Sequence, residues 1–307
     1  MSNNFVSTLG PDGQCDGAEC IGIFLDHHTS YNTVTNNTLS LNLNGLELND
    51  DSNYNRINDN KIHDNLQYGI NLISLFPEST EFMEGEKGNS HNILIGNDLS
   101  DNRQWDFYEN SSGVTNENNS VLDTKIGNVS VSFTGFEMAL RQASSPAGDP
   151  AGYRNVGGYI NATANNASSW LFLNINYTAS PGVDENTLSM WEFDGSWKKV
   201  SGTNGVETGN KYVFANITSS GIFAPMGRMV SSTPAPTPAP ASTPTATFTS
   251  TPTSTSTPEV NTISIYDTNG NNRIDKSEAV LAIMDYFAGA ITKQNAIDVI
   301  MAYFSGA

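Results

Sequence analysis

The chain has 307 residues, enough for two or three domains, and carries 14 basic against 32 acidic side chains, a formal net charge of −18. That balance argues against nucleic acid and anionic membrane as partners and favours divalent cations and uncharged ligands. Only 15% of residues are charged, so the acidity comes from few bases rather than acidic tails, and no run of 18 apolar residues exists to cross a membrane as a helix.

Met1 to Phe5 do not read as a signal peptide. Cys15 and Cys20, the chain's only cysteines, are not at a zinc spacing; in an oxidising compartment they can close a small loop, and otherwise they are surface thiols. An internal repeat follows. Ser30–Asn42 aligns with Asn53–Asn65 and again with Ser90–Asn102, and a short apolar strand precedes each copy, at Gly22–Leu25, Gly45–Leu48 and Gly69–Leu72. Trp105 to Phe107 reads as a decayed fourth copy. The pattern predicts stacked turns of short parallel strands, with apolar residues inward and Asn37, Asn60 and Asn97 in register, their amides hydrogen-bonded up the stack. Asn also tolerates the left-handed backbone that such corners require.

These residues resemble the right-handed parallel β-helix repeats of NosD-like and pectate-lyase-like carbohydrate-associated proteins, over residues 1–127. The resemblance implies a coil for which three or four turns are near the minimum, so a start inside a longer protein is expected. Some relatives cleave polysaccharides with carboxylates and a basic residue on an outer strand face. Asp26, Glu47 and Arg56 are the candidates for such a face, or are simply solvated. The NosD likeness also suggests copper, but the histidines scatter: His27 and His28 align with Asp50 and Asp51, His63 with Ser40 and Ser100, His91 with Tyr31 and Tyr54. No histidine ladder is expected. An insertion, Leu75 to Gly88, joins four glutamates to Phe76 and Phe82, a composition that suits a sugar, a cation, or plain decoration.

Residues 128–229 change to longer alternating strands. Trp170–Tyr177 is one; Leu188–Phe193 turns at Asp194-Gly195 into Trp197–Val200; Lys211–Ile217 and Gly221–Pro225 follow. An antiparallel β-sandwich fits. Its ending, Phe223 to Gly227, resembles β-rich modules of archaeal surface proteins. Trp191 and Trp197 suit either a sugar platform or a cross-strand core pair. Residues 230–260 are a Ser/Thr/Pro linker of the extended kind found in secreted stalks.

Residues 261–307 hold a twelve-residue loop, Asp267 to Glu278, whose spacing places calcium-type oxygens at Asp267, Asn269, Asn271, Arg273 (through its carbonyl), Asp275 and Glu278. Asn272 stands at the left-handed position and Ile274 is the apolar anchor. Val280, Ile283, Met284 and Phe287 predict a helix after the loop; Thr292 caps a second, with Ile297, Ile300, Met301 and Phe304 on one face. Ile263–Tyr266 reads as extended. A calcium loop followed by a helix, with none leading in, resembles the dockerin module, more closely its single-loop variants in archaeal surface proteins. Ala288 to Asn295 contains no carboxylate, so a second calcium site is not expected.

The expected fold is therefore mainly β: a short right-handed parallel β-helix, an antiparallel sandwich, a disordered linker and a small all-α EF-hand or dockerin-like domain. The expected function is that of an extracellular or cell-surface modular protein, non-catalytic, with Ca²⁺ as its cofactor and glycans or cell-envelope components as partners. The alternatives are a polysaccharide lyase or glycoside hydrolase using the coil as catalytic body, and an assembly module docking onto a cohesin-like protein.

Overall fold

The computed structural model describes residues 1–7, 20–74, 88–111 and 116–230, and near the C-terminus residues 266, 273, 274, 291, 292, 294, 295 and 299. The chain divides into two compact units, Met1–Thr233 and Pro234–Ala307.

The first unit is mainly β. After β1 (Phe5–Val6) the chain makes short strands in groups of three: β2 (Ile21–Leu25), β3 (Thr33–Thr35) and β4 (Thr38–Ser40); β5 (Asn44–Asn49), β6 (Arg56–Asn58) and β7 (Lys61–His63); β8 (Tyr68–Ile73), β9 (Ile93–Ile95) and β10 (Asp98–Ser100); then β11 (Trp105–Asn110) and β12 (Ser120–Ile126). They stack as three parallel ladders, β2-β5-β8-β11, β3-β6-β9-β12 and β4-β7-β10-β12, with β1 on the outer edge of the last. Alternation along each strand sends every second residue inward, so Ile23, Leu46, Ile70 and Phe107 lie in register, as do Val34, Ile57 and Leu94, and Leu39, Ile62 and Leu99. All are buried. Partners sit 23 residues apart between the first two turns and 37 apart across the next. The longer step accommodates the expected insertion, of which residues 75–87 lie outside the described residues.

The asparagines form ladders at three corners. Asn4, Asn37, Asn60 and Asn97 are linked by amide hydrogen bonds of 3.1, 2.9 and 3.1 Å. Asn32, Asn55, Asn92 and Asn119 form a second series, and Asn42, Asn65 and Asn102 a third. Each side-chain oxygen also accepts the backbone N–H of the asparagine one turn earlier. One expectation is corrected. The left-handed backbone belongs to the residue before each ladder asparagine: Tyr31, Tyr54 and His91, Asn36, Asp59 and Gly96, Leu41, Asp64 and Asp101 all have φ between 54° and 66°. The turn thus divides the work, one residue reversing the chain and the next satisfying the buried polar groups.

Gly127-Asn128 closes a hairpin from β12 into β13 (Val129–Phe136). The following strands are β14 (Met138–Gln142), β15 (Tyr153–Asn155), β16 (Ile160–Ala164), β17 (Trp170–Asn176), β18 (Ser189–Phe193), β19 (Trp197–Lys199), β20 (Asn204–Glu207), β21 (Tyr212–Ile217) and β22 (Gly221–Arg228). They build two antiparallel layers, β13-β17-β21-β20 and β14-β16-β22-β18-β19, with β15 also on β22. Each layer continues a sheet of the coil: β13 pairs with β12 and β14 with β11. Residues 1–127 and 128–229 therefore share both sheets and one hydrophobic core running from Ile23 to Phe223. The predicted hairpin is present, with Phe193 opposite Trp197 and Gly195 at φ 111°.

In the second unit Tyr266 has helical backbone and is buried, where its β-branched neighbours predict an extended segment. Ile274 is buried, as an apolar loop anchor should be, and Val299 is buried. The Asn295 N–H donates to Thr292 Oγ1 at 3.2 Å, an N-cap at the predicted start of the second helix. Among the described residues no helix is long and apolar enough to cross a membrane.

Candidate functional site

The outer face of the β2-β5-β8-β11 ladder brings Phe24, Glu47, Asn71 and Tyr108 into register. Glu47 is buried and its Oε2 accepts from Asn44 Nδ2 at 2.7 Å and Asn71 Nδ2 at 2.8 Å. Burial nevertheless pushes its carboxyl above the usual range, the two amides pulling the other way. Tyr68 and Tyr108 stack at 4.3 Å over the same face. Asp26 lies one strand away, holding Asn49 Nδ2 at 2.9 Å. Asp26 and Glu47 thus share a face, but Arg56 stands on β6, in another ladder, and forms no ion pair with either. The three candidates are therefore not brought to one face.

Where the coil passes into the sandwich lies an open cleft of about 590 Å³, lined by Asp101, Asp106, Arg141, Gln142 and Asn161 among others. Asp106 holds the floor. Its Oδ1 accepts from Asn102 Nδ2 at 2.9 Å, closing the third asparagine ladder, and its Oδ2 accepts from the Gln142 N–H at 3.4 Å. Burial raises its pKa against those hydrogen bonds. Arg141 lies 5.0 Å from the centroid of the Trp105 ring and donates to the Gln104 carbonyl. The wall so offers hydrogen-bond acceptors and donors in one concavity.

Sequence reasoning missed Asp106, although a signal exists. It occupies the repeat position of Gly22, Gly45 and Gly69, where the ladder asparagine approaches so closely that a Cβ on Gly69 would lie 2.7 Å from Asn102 Nδ2. Glu109 was equally legible as an exception, since it takes the inward place of Leu25, Leu48 and Leu72. It is buried beside Glu137, and burial pushes its carboxyl up to about 8.

The tryptophans divide. Trp191 packs on Tyr153 at 4.7 Å, while Trp197 packs on Phe193 at 5.3 Å and Tyr159 at 6.0 Å. Their strand partners are Lys199 and Phe193, so the two do not form a cross-strand pair with each other. Tyr31, Tyr54 and His91 stack in the predicted alignment at 5.0 and 4.8 Å, and His63 stands between Ser40 and Ser100. Cys20 is disulfide-bonded; Cys15, the chain's other cysteine, lies outside the described residues. So do Asp267, Asn269, Asn271, Asp275 and Glu278, leaving Arg273 as the one described member of the calcium set, with an exposed side chain.

No family model matches the chain, and no curated protein matches it. Among solved structures it is similar to the Dettilon tailspike protein (gp208), with 13% sequence identity, a TM-score of 0.21, and coverage of 64% of this chain and 56% of that one. The chain therefore spans little more than half the length of that protein.

Proposed function

We propose that this chain is an extracellular modular protein that binds uncharged glycans without cleaving them and holds one Ca²⁺ in its C-terminal module. The junction cleft is the observation that carries glycan binding. Sugar hydroxyls need donors and acceptors together, and Arg141, Gln142, Asn161 and Asp101 supply both. The resemblance of the repeats to NosD-like β-helix proteins, and of the last module to single-loop dockerins of archaeal surface proteins, supports the same reading. A non-catalytic role is favoured because Glu47 and Asp106, the buried carboxylates facing these surfaces, are each engaged by neighbouring amides. General acid–base catalysis needs a pair within hydrogen-bond reach of substrate.

Glycan-array screening of the full chain is expected to return neutral oligosaccharides, with Arg141→Ala and Asn161→Ala each weakening the best ligand at least about tenfold. Undiminished binding by both variants removes the cleft from the proposal; reducing ends or unsaturated products released from a polysaccharide place the protein among enzymes instead. For the metal, calorimetry should show Ca²⁺ binding with a dissociation constant on the order of 10⁻⁵ to 10⁻³ M, since three carboxylates and Asn272 at the left-handed position make a weak loop. Glu278→Gln should abolish it. Binding that survives this substitution overturns the calcium reading. The Thr292 cap and the buried Ile274 are consistent with a packed loop-helix module that could also dock a cohesin-like partner.

A further inference from the structure

The geometry points to a second metal site, at the end of the β2-β5 pair, that takes a divalent transition ion such as Zn²⁺ on Asp26, His27, Asp50 and Asn49. The stacking itself assembles it. Leu25 lies against Leu48, so the next residues of the two turns follow in order, Asp26 over Asn49 and His27 over Asp50. One ligand atom from each of Asp26, His27 and Asp50 lies within 4.8 Å of the other two. His27 Nε2 is 3.6 Å from Asp26 Oδ2. A cation bonding at about 2.0–2.2 Å would draw such atoms together by roughly an ångström of side-chain movement.

A second observation comes from Asn49. It is 6% exposed, and its amide head lies against the cluster, with Nδ2 donating to Asp26 Oδ1 at 2.9 Å. Its Oδ1 is buried without a hydrogen-bond partner. If the amide turns over, it presents Oδ1 to a cation, which takes over from Nδ2 as the partner of Asp26 Oδ1. Two carboxylates balance a divalent charge. One imidazole nitrogen among oxygens selects the borderline ions, Zn²⁺ and its neighbours, over Ca²⁺ and Mg²⁺, which take oxygen alone. Asp26 and His27 are each about one-third exposed, so a cation reaches the site without the fold opening.

The test uses the full chain in saturating Ca²⁺, which occupies the C-terminal loop, titrated with Zn²⁺ by calorimetry. One equivalent is expected, together with a Zn²⁺-dependent rise in Tm. His27→Asn suits the left-handed backbone at this position, φ 39°; it should weaken Zn²⁺ at least about tenfold and leave the metal-free Tm unchanged. His28→Asn, which breaks the adjacent 2.8 Å contact with Asp51, should leave binding intact. Absence of Zn²⁺ binding, equal binding by wild type and His27→Asn, or loss of binding in His28→Asn instead overturns the site. Glycan binding at the junction cleft and Ca²⁺ binding at Glu278 do not enter these readouts.

Discussion

Glu109 replaces a leucine in the interior of the coil, and its Oε1 has no hydrogen-bond partner. A carboxyl raised from 4.5 to about 8 is protonated in the folded chain over a window where the unfolded chain has already ionised. Below pH 4.5 the group is neutral in both states and contributes no pH dependence; between about 4.5 and 8 it lowers stability by up to about 1.4 kcal/mol per pH unit; above 8 the loss levels off. Urea denaturation at pH 5 and pH 8 should therefore show Glu109→Leu gaining most on the wild type at pH 8. A variant whose advantage is the same at both pH values would falsify this assignment. The asparagines make a different residue-scale argument. Asn60 Oδ1 accepts from both the N–H and the Nδ2 of Asn37, and its own Nδ2 reaches Val34 and Asn97. Asn60→Ala strands the buried Asn37 N–H, at about 1–3 kcal/mol, while Asn37 Nδ2 keeps the Thr35 carbonyl. Asn37 is not the end of its ladder, because Asn4 stacks above it. Asn37→Ala should consequently cost about as much as Asn60→Ala, and the exposed Asn4→Ala less than about 1 kcal/mol, read from the shift in denaturation midpoint at constant m.

At the scale of the element, the turns are spaced by contacts that leave no room for a methyl group. A Cβ on Gly45 would meet Ile62 Cγ2 at 2.3 Å, Asn65 Nδ2 at 2.8 Å and the Gly69 carbonyl at 2.8 Å. Two of the three cannot give way without breaking a ladder, so Gly45→Ala should cost at least about 3 kcal/mol, the upper range for overpacking. Gly148→Ala meets nothing within 4 Å at an exposed position and serves as the control, expected within about 0.5 kcal/mol of wild type. Equal effects of the two would mean that the turns are not packed at this distance. Asp106 shows why a strand can depart from the glycine pattern once: it lies in the last parallel turn, where its carboxylate terminates the Asn42-Asn65-Asn102 series in place of a further amide.

Across the whole first unit, the coil and the sandwich are coupled through backbone. β12 exchanges hydrogen bonds with β9 and β10 on the coil side and with β13 on the sandwich side, and β11 does the same between β8 and β14. Severing the chain at Gly127-Asn128 would expose both sheet edges and divide a single core. Residues 1–230 are therefore expected to unfold in one calorimetric transition, whatever the C-terminal module does. Two separable transitions within those residues, or a stable isolated 128–229 fragment, would show that the two parts are independent.

Much of this was legible because a repeat states its own register. The alignment of the repeat copies predicted which residues stack, down to His91 on Tyr54 and the in-register Asn37, Asn60 and Asn97, since a parallel turn places equivalent positions one above another. The Asp194-Gly195 hairpin and the Thr292 cap were likewise local matters of turn and cap chemistry. What local pattern could not express was decided by tertiary packing. Tyr266 is helical where its neighbours predict a strand, and the left-handed positions fall on Tyr, Leu and His, whose own preferences do not call for them. Arg56 is carried to a different ladder from Asp26 and Glu47, so the three do not share the outer strand face expected of them. The junction cleft, the buried Glu109 and the Asp26–His27–Asp50 cluster arise only when separate turns and both halves of the sheets come together. Sequence alone thus determined the periodic part of this protein, in which each residue's neighbours follow from the repeat. Tertiary structure decided the places where that period ends, because there the neighbours come from strands the repeat does not describe.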